Sequence, residues 1–428
     1  MTTILGQEEA QRISRLAEGS EDPQQTVRLT EMLLQFAVDR GASDVHIEPY
    51  EQDVVCRFRI DGLLYDACVF TRPTHEKVLA RIKVLANLKI DEHRVPQDGR
   101  FVGKFGEKMV DFRTSVLPLM FGEKIVLRVL PREVKMLALT ELGFDEHAAT
   151  TILQNIRKPY GMILVCGPTG AGKSTTLYTL LQSLIAERGV GANINTIEDP
   201  VEYAIPRVNQ IQAGSGTGLS FAVGLRGLLR QDADVIMVGE IRDRETAEAA
   251  IEASLTGRIL LSSLHTRDAV GALIRLLEIG IEPYLIASAA TLMIAQRLVR
   301  MPCAHCVESY TLDPDVYKGL ETRYDLGRII DDIEKRMPHL TPIPRPPMLF
   351  RAKGCDACMH TGFKGRTAVF EVLDVSDAMR ALLQKRASAQ ALREQALQEG
   401  MVTMFQDGFA KALTGRTALE EILKATLE

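Results

Sequence analysis

Apolar residues recur at helical spacing between positions 26 and 40, where Leu29, Met32, Leu33, Phe36 and Ala37 share one face. The pattern predicts an amphipathic helix, with Gly41 where a helix C′ residue would stand. Between 53 and 60 the period becomes two, Val54, Cys56, Phe58 and Ile60 alternating with Val55, Arg57 and Arg59. That is a half-buried strand, and Asp61-Gly62 supplies a hairpin turn before a second strand at 63–69. A helix near 75–88 and strands at 109–116 and 123–130 complete a mixed α+β domain over 24–132. It follows a polar, flexible segment at 1–23.

Residues 133–150 read as a linker with a capped helix start, and the texture then changes. A continuous apolar run at 162–166 enters a glycine-rich turn, and a helix-compatible stretch at 174–188 leaves it. Further buried-strand candidates at 195–197, 235–238 and 259–261 are separated by helical stretches. Apolar strands alternating with helices predict a doubly wound α/β domain with a largely parallel sheet, over 151–300. A cysteine-bearing module follows at 301–365, with a proline-rich middle at 341–347 and an inserted helix at 317–337. The last stretch, 366–428, reads as all-helical, with Thr417-x-x-Glu420 as a capping box opening the final helix.

At 428 residues the chain is too long for one core. Its 46% hydrophobic and 25% charged residues exclude wholesale disorder. A net charge of −5 argues against a protein that coats nucleic acid. The N-terminus has neither a basic n-region nor an apolar h-region, and no apolar run reaches the ~20 residues needed to span a bilayer. These features predict a cytoplasmic protein.

Gly167-Pro168-Thr169-Gly170-Ala171-Gly172-Lys173-Ser174 matches the Walker A phosphate loop, G-x-x-x-x-G-K-[ST], in full. The glycines let backbone N–H groups turn toward phosphate, and the helix N-terminus adds a positive field. Lys173 reaches the β and γ oxygens and Ser174 holds Mg²⁺. The predicted nucleotide-contacting stretch runs from Gly167 through Thr175. A second apolar strand ends in Gly239-Glu240, which sets Glu240 where a metal-side carboxylate belongs; an exposed glutamate in a turn is the plainer alternative. Thr196-Ile-Glu198-Asp199-Pro200-Val-Glu202 supplies a further acidic cluster after a short strand. Glu198, Asp199 or Glu202 could orient and deprotonate the attacking water. His265 follows another strand, and a histidine at such a strand end could sense a γ-phosphate by hydrogen bond, although a lone histidine is more often structural.

Of seven cysteines, four form two Cys-x-x-Cys pairs, Cys303/Cys306 and Cys355/Cys358. Four soft ligands in two knuckles suit a closed tetrahedral Zn²⁺ site with a structural role. Buried thiols or a redox pair are the alternatives. Cys56, Cys68 and Cys166 read as ordinary buried residues.

Taken in order, these pieces resemble the secretion-ATPase superfamily, in its branch of type II secretion and type IV pilus-assembly ATPases (the GspE/PilB family). The motifs that carry the resemblance include 42–49, 59–62, the phosphate loop, 196–202, 239–243, 264–266, Ala295-Gln-Arg-Leu-Val299, the paired cysteines and 362–366. The resemblance implies a RecA-like core, a homo-hexamer, and ATP hydrolysis that drives an inner-membrane platform protein, with a cytoplasmic docking protein and no nucleic acid. It implies that Glu198 is the general base and Glu240 the Mg²⁺-side carboxylate. Arg113 and Arg128 match N-terminal-domain arginines that close on the γ-phosphate; Arg226 and Arg230 are candidates for further anion or intersubunit contacts. A nucleotide-gated scaffold with little turnover and a RecA-type DNA translocase are the competing functional classes.

Overall fold

The computed structural model describes residues 23–132, 137–214 and 218–427, together with Ile13. The expectation of a flexible 1–23 falls almost wholly outside the described residues, as do positions 133–136 of the expected linker. The chain separates into two compact units, Met1–Lys135 and Met136–Glu428.

In the first unit, strands β1 (Asp44–Pro49), β2 (Val54–Ile60), β3 (Leu63–Phe70), β4 (Gln97–Phe105), β5 (Lys108–Leu119) and β6 (Gly122–Pro131) form one antiparallel sheet, ordered β3-β2-β1-β6-β5-β4. Period-two alternation buries Val45, Ile47, Phe58, Phe112 and Leu127 on one face, with the helices Pro23–Asp39 and Arg72–Leu85. Gly41 and Gly62 have φ of 66° and 89°, the left-handed conformation their turns require. The opposite face is polar.

The second unit is built on β7 (Gly161–Cys166), β8 (Ile194–Glu198), β9 (Asn209–Gln212), β10 (Val235–Val238), β11 (Ile259–Leu264), β12 (Ala290–Pro302) and, beyond the hairpin β13 (Val307–Thr311) and β14 (Met348–Ala352), on β15 (Phe363–Asp374). The order is β15-β12-β7-β11-β10-β8-β9, parallel throughout except for β15. Every residue of β7, β8, β10 and β11 is buried, as strands covered on both faces must be. Met162 and Leu164 join one core with helices Arg244–Leu255 and Ala269–Glu278, while Ile163 and Val165 join another with helix Lys173–Arg188. This is a RecA-like doubly wound sheet, and β7 delivers the chain to its carboxyl edge between β11 and β12.

Three expectations need correction. Residues 366–374 are not helical: they continue β15, which pairs along β12 far away in sequence. The single inserted helix is two, Pro314–Tyr324 and Leu326–Arg336, broken at left-handed Asp325 so that Tyr324 stacks on Phe405 at 3.9 Å. Thr417 does not immediately precede the last helix, which begins at Leu419; its hydroxyl donates to the Arg300 carbonyl at 2.9 Å, and a capping box sits at Thr403 and Gln406. The capped helix start expected near 150 is present: Asp145 caps helix Glu146–Ile156, accepting from the Ala148 amide at 2.7 Å, after a short helix Leu139–Leu142.

Candidate active site

The phosphate loop leaves the carboxyl end of β7. Gly170 and Gly172 have φ of 79° and 87°. At Gly167 a Cβ would stand 2.6 Å from the Gln296 carbonyl, so only glycine fits. The helix then runs Lys173–Arg188, with Ser174 and Thr175 exposed at its start and Pro168 and Thr169 exposed in the loop. Ala171 faces inward, 3% exposed. The Lys173 ammonium donates to the Gly167 and Pro168 carbonyls at 2.9 and 3.0 Å. Burial lowers its pKa, while the Glu240 carboxylate pulls the other way, placing both charges in one electrostatic neighbourhood.

Glu240 follows β10 directly. Its two oxygens pair with Arg242 at 2.5 Å and with His265 Nε2 at 3.2 Å. Burial alone would raise this carboxyl, but Arg242 and then His265 hold it below its ordinary value. The ends of β10 and β11 therefore bring Glu240 and His265 together, and Arg242 is a partner that sequence reasoning missed.

Glu198 ends β8 and is 4% exposed. Its Oε2 accepts from the Tyr178 hydroxyl, and its Oε1 accepts from Thr196 Oγ1 at 2.5 Å and Gln210 Nε2 at 3.1 Å. Burial, then the Glu198 charge, raise the Tyr178 phenol. Tyr178 lies five residues past Lys173 on the same helix. Its hydroxyl also receives the Glu202 amide at 3.4 Å, so one phenol organises the acidic turn. Asp199 is exposed.

On the polar face of the first unit, Arg113 lies directly opposite Arg128, Arg128 opposite Asp44, Asp44 opposite Arg59, and Arg113 opposite Arg100. One row across five strands thus holds four guanidiniums and one carboxylate. Asp44 reaches Arg128 at 3.3 Å and Arg59 at 3.8 Å. Arg100 and Arg59 joined this row unseen, since only strand register places them there. Arg226 pairs with Glu245 at 2.6 Å. Arg230 falls beyond the end of helix Phe221–Leu228, not on its face, and donates to the Arg226 carbonyl at 2.9 Å.

The four thiols of Cys303, Cys306, Cys355 and Cys358 lie within 4.8 Å of one another. Sulfur separations of 3.9, 3.8 and 3.8 Å match the roughly 3.8 Å edge of a tetrahedron with Zn–S bonds of about 2.3 Å. The Cys355 amide also points at Cys358 Sγ, at 3.2 Å. Two knuckles converge because β12 and β15 are antiparallel neighbours, so the excursion leaves and re-enters the sheet at one place. Cys56, Cys68 and Cys166 are buried.

Among the described residues no helix is long and apolar enough to cross a membrane. The family described as Type II/IV secretion system protein matches residues 19–424. The type IV pilus assembly ATPase PilB of Myxococcus xanthus is 41% identical over 98% of this chain and 71% of its own length. The type II secretion system ATPase E of Vibrio cholerae is 42% identical over 96% of this chain and 77% of its own. Among solved structures, the ATPase DotB of Legionella pneumophila superposes with a TM-score of 0.66 at 19% identity, covering 91% of this chain and 93% of that one, which supports the fold. With a complete phosphate loop and an acid-bearing strand in the same parallel sheet, the chain belongs to the Type II/IV secretion system protein family and is an ATPase.

Proposed function

We propose that this ATPase is a homo-hexameric motor that powers type II protein secretion or type IV pilus assembly. It works in the cytoplasm, peripheral to the inner membrane, through a platform protein and a docking protein of the machine. The observation that carries the reading is that Lys173, Glu240 and His265 all follow the carboxyl ends of strands of one parallel sheet, with His265 bonded to Glu240. The names of the relatives supply the choice of machine.

In this reading backbone amides of the loop and helix start, between Thr169 and Thr175, cradle the phosphates and Lys173 neutralises the β and γ oxygens. The Ser174 hydroxyl and the Glu240 carboxylate are hard oxygen donors suited to Mg²⁺, which would draw charge from the phosphate oxygens. Glu198 takes a proton from the attacking water as the bond from the γ-phosphorus to the leaving ADP oxygen breaks. Three donors already sit on its carboxylate, two on Oε1 and one on Oε2, which leaves a lone pair of Oε2 for that proton. His265 donates toward the γ-phosphate, and the guanidiniums of Arg113 and Arg128 are of the kind that makes bidentate contacts to phosphate oxygens. The thiols of Cys303, Cys306, Cys355 and Cys358 would hold one Zn²⁺, whose role would be to tie the excursion to β12 and β15.

The test is a Lys173→Ala allele in place of the native gene, with surface pili imaged and secreted proteins compared. Lost pili with normal secretion assign the motor to pilus assembly, and trapped exoproteins with normal pili assign it to type II secretion. Wild-type pili and secretion together would refute the motor reading.

A further inference from the structure

The segment Ala295-Gln-Arg-Leu-Val299 has no role in the chemistry above, yet it lies against the phosphate loop. Strand β12 runs parallel to β7 with Ala295 opposite Cys166, so Gln296 comes next to the point where β7 becomes the loop. The Gln296 side chain is 1% exposed. Its Nε2 donates to the Ala171 carbonyl at 2.6 Å, and its Oε1 accepts from the Thr176 hydroxyl at 2.8 Å. Both fixed glycines of the loop conform to this residue. A Cβ at Gly167 would meet the Gln296 carbonyl at 2.6 Å, and a Cβ at Gly172 would meet Gln296 Nε2 at 3.1 Å.

The Ala171 bond has a geometric consequence. In a trans peptide the C=O and N–H point in opposite directions. Tethering the Ala171 carbonyl toward β12 therefore turns the Gly172 N–H away from it, to the side where the loop and the helix N-terminus present donors to an anion. A buried carbonyl left without this partner would seek another, and the peptide would rotate to find it. We propose that Gln296 is a positioning residue of the nucleotide site, which orients the Ala171–Gly172 peptide so that its N–H faces phosphate. The Thr176 hydroxyl satisfies the other end of the same amide, its Oε1, and is not needed for the Ala171 bond. Gln296 acts through the loop and touches no substrate.

A core glutamine that merely satisfied its neighbours would affect stability alone, so the test separates the two bonds. Gln296→Leu removes both, and Thr176→Val removes only the second; each leaves one or more buried polar groups unpaired. The probe is a fluorescent ATP analogue titrated onto the full chain, with melting of the nucleotide-free protein followed in parallel. Both variants are expected to melt below wild type, but only Gln296→Leu should raise the Kd, by about ten-fold, with Thr176→Val staying within about three-fold. If Gln296→Leu does not fold, Gln296→Glu takes its place: its carboxylate cannot donate to Ala171 and should raise the Kd to the same extent. Equal Kd shifts in the Thr176 and Gln296 variants, or a Kd unchanged in either Gln296 variant, would overturn the proposal and leave Gln296 a core residue.

Discussion

Tyr178, on the helix that begins with Lys173, donates its hydroxyl to the carboxylate of Glu198 at the end of β8. The phosphate-binding helix and the acidic turn are thereby joined through one buried bond. Replacing Glu198 by Gln should abolish turnover while leaving nucleotide affinity near wild type, measured by phosphate release and by titration. Wild-type turnover in Glu198→Gln would instead make this residue a structural knot for Tyr178, Thr196 and Gln210. Tyr178→Phe should cost about 1–3 kcal/mol of stability, read in a denaturant titration, because it removes a donor from a buried carboxylate.

Glu240 and Lys173 share one electrostatic neighbourhood, and each should be indispensable. Glu240→Gln and Lys173→Ala are expected to lower kcat by at least about 100-fold. Lys173→Ala should also weaken ATP binding. Steady-state assays at saturating and limiting ATP separate the two effects.

The arginine row predicts a division of labour. Arg128 shares Asp44 with Arg59, and Arg113 lies opposite both Arg128 and Arg100 in the same row. With these arginines in the role proposed for them, Arg113→Gln and Arg128→Gln should cut turnover about 10³-fold or more, as loss of a supplied arginine does. Thermal melting should change little by comparison. A lowered melting temperature with normal turnover would mean that the row is architectural.

Acid should loosen the contact between Arg300 and Glu421, which tie β12 to the last helix at 2.6 and 2.9 Å. Burial alone would raise the Glu421 carboxyl, but the Arg300 guanidinium and amide hold it below its usual 4.5. A carboxyl depressed by folding stabilises the protein above its unfolded value and loses that contribution as pH falls through the folded value. Stability of the wild type should thus drop more steeply below about pH 4.5 than that of Glu421→Gln. Identical acid limbs would show that the pair contributes nothing measurable.

Metal analysis should return about one zinc per chain, released by a thiol-specific reagent. Cys355→Ser should lose the metal and melt earlier, since ligand and fold are linked. A full complement of free thiols in protein purified without chelator would refute the site.

Much of this protein was legible along the chain. The phosphate loop, the buried strands around it and the cysteine knuckles are local patterns, in which the spacing of a few residues carries the chemistry. The alternation at 54–60 and the turn at Asp61-Gly62 were equally plain, because strand period and left-handed turns are set by immediate neighbours. The errors were of another kind. β15 was absorbed into a helical tail because its partner, β12, lies across the whole excursion. Thr417 looked like a cap because its true acceptor, the Arg300 carbonyl, is distant in sequence.

By itself, then, the sequence determined the class of fold, the nucleotide loop and the family, since each rests on periodicity or on a contiguous motif. Only the tertiary structure decided that Gln296 lies under the loop, that Tyr178 holds Glu198, and that Arg59, Arg128, Arg113 and Arg100 stand in one row. Those relationships join residues far apart on the chain. They arise from strand order and register, which depend on how whole apolar faces pack and not on any residue's near neighbours.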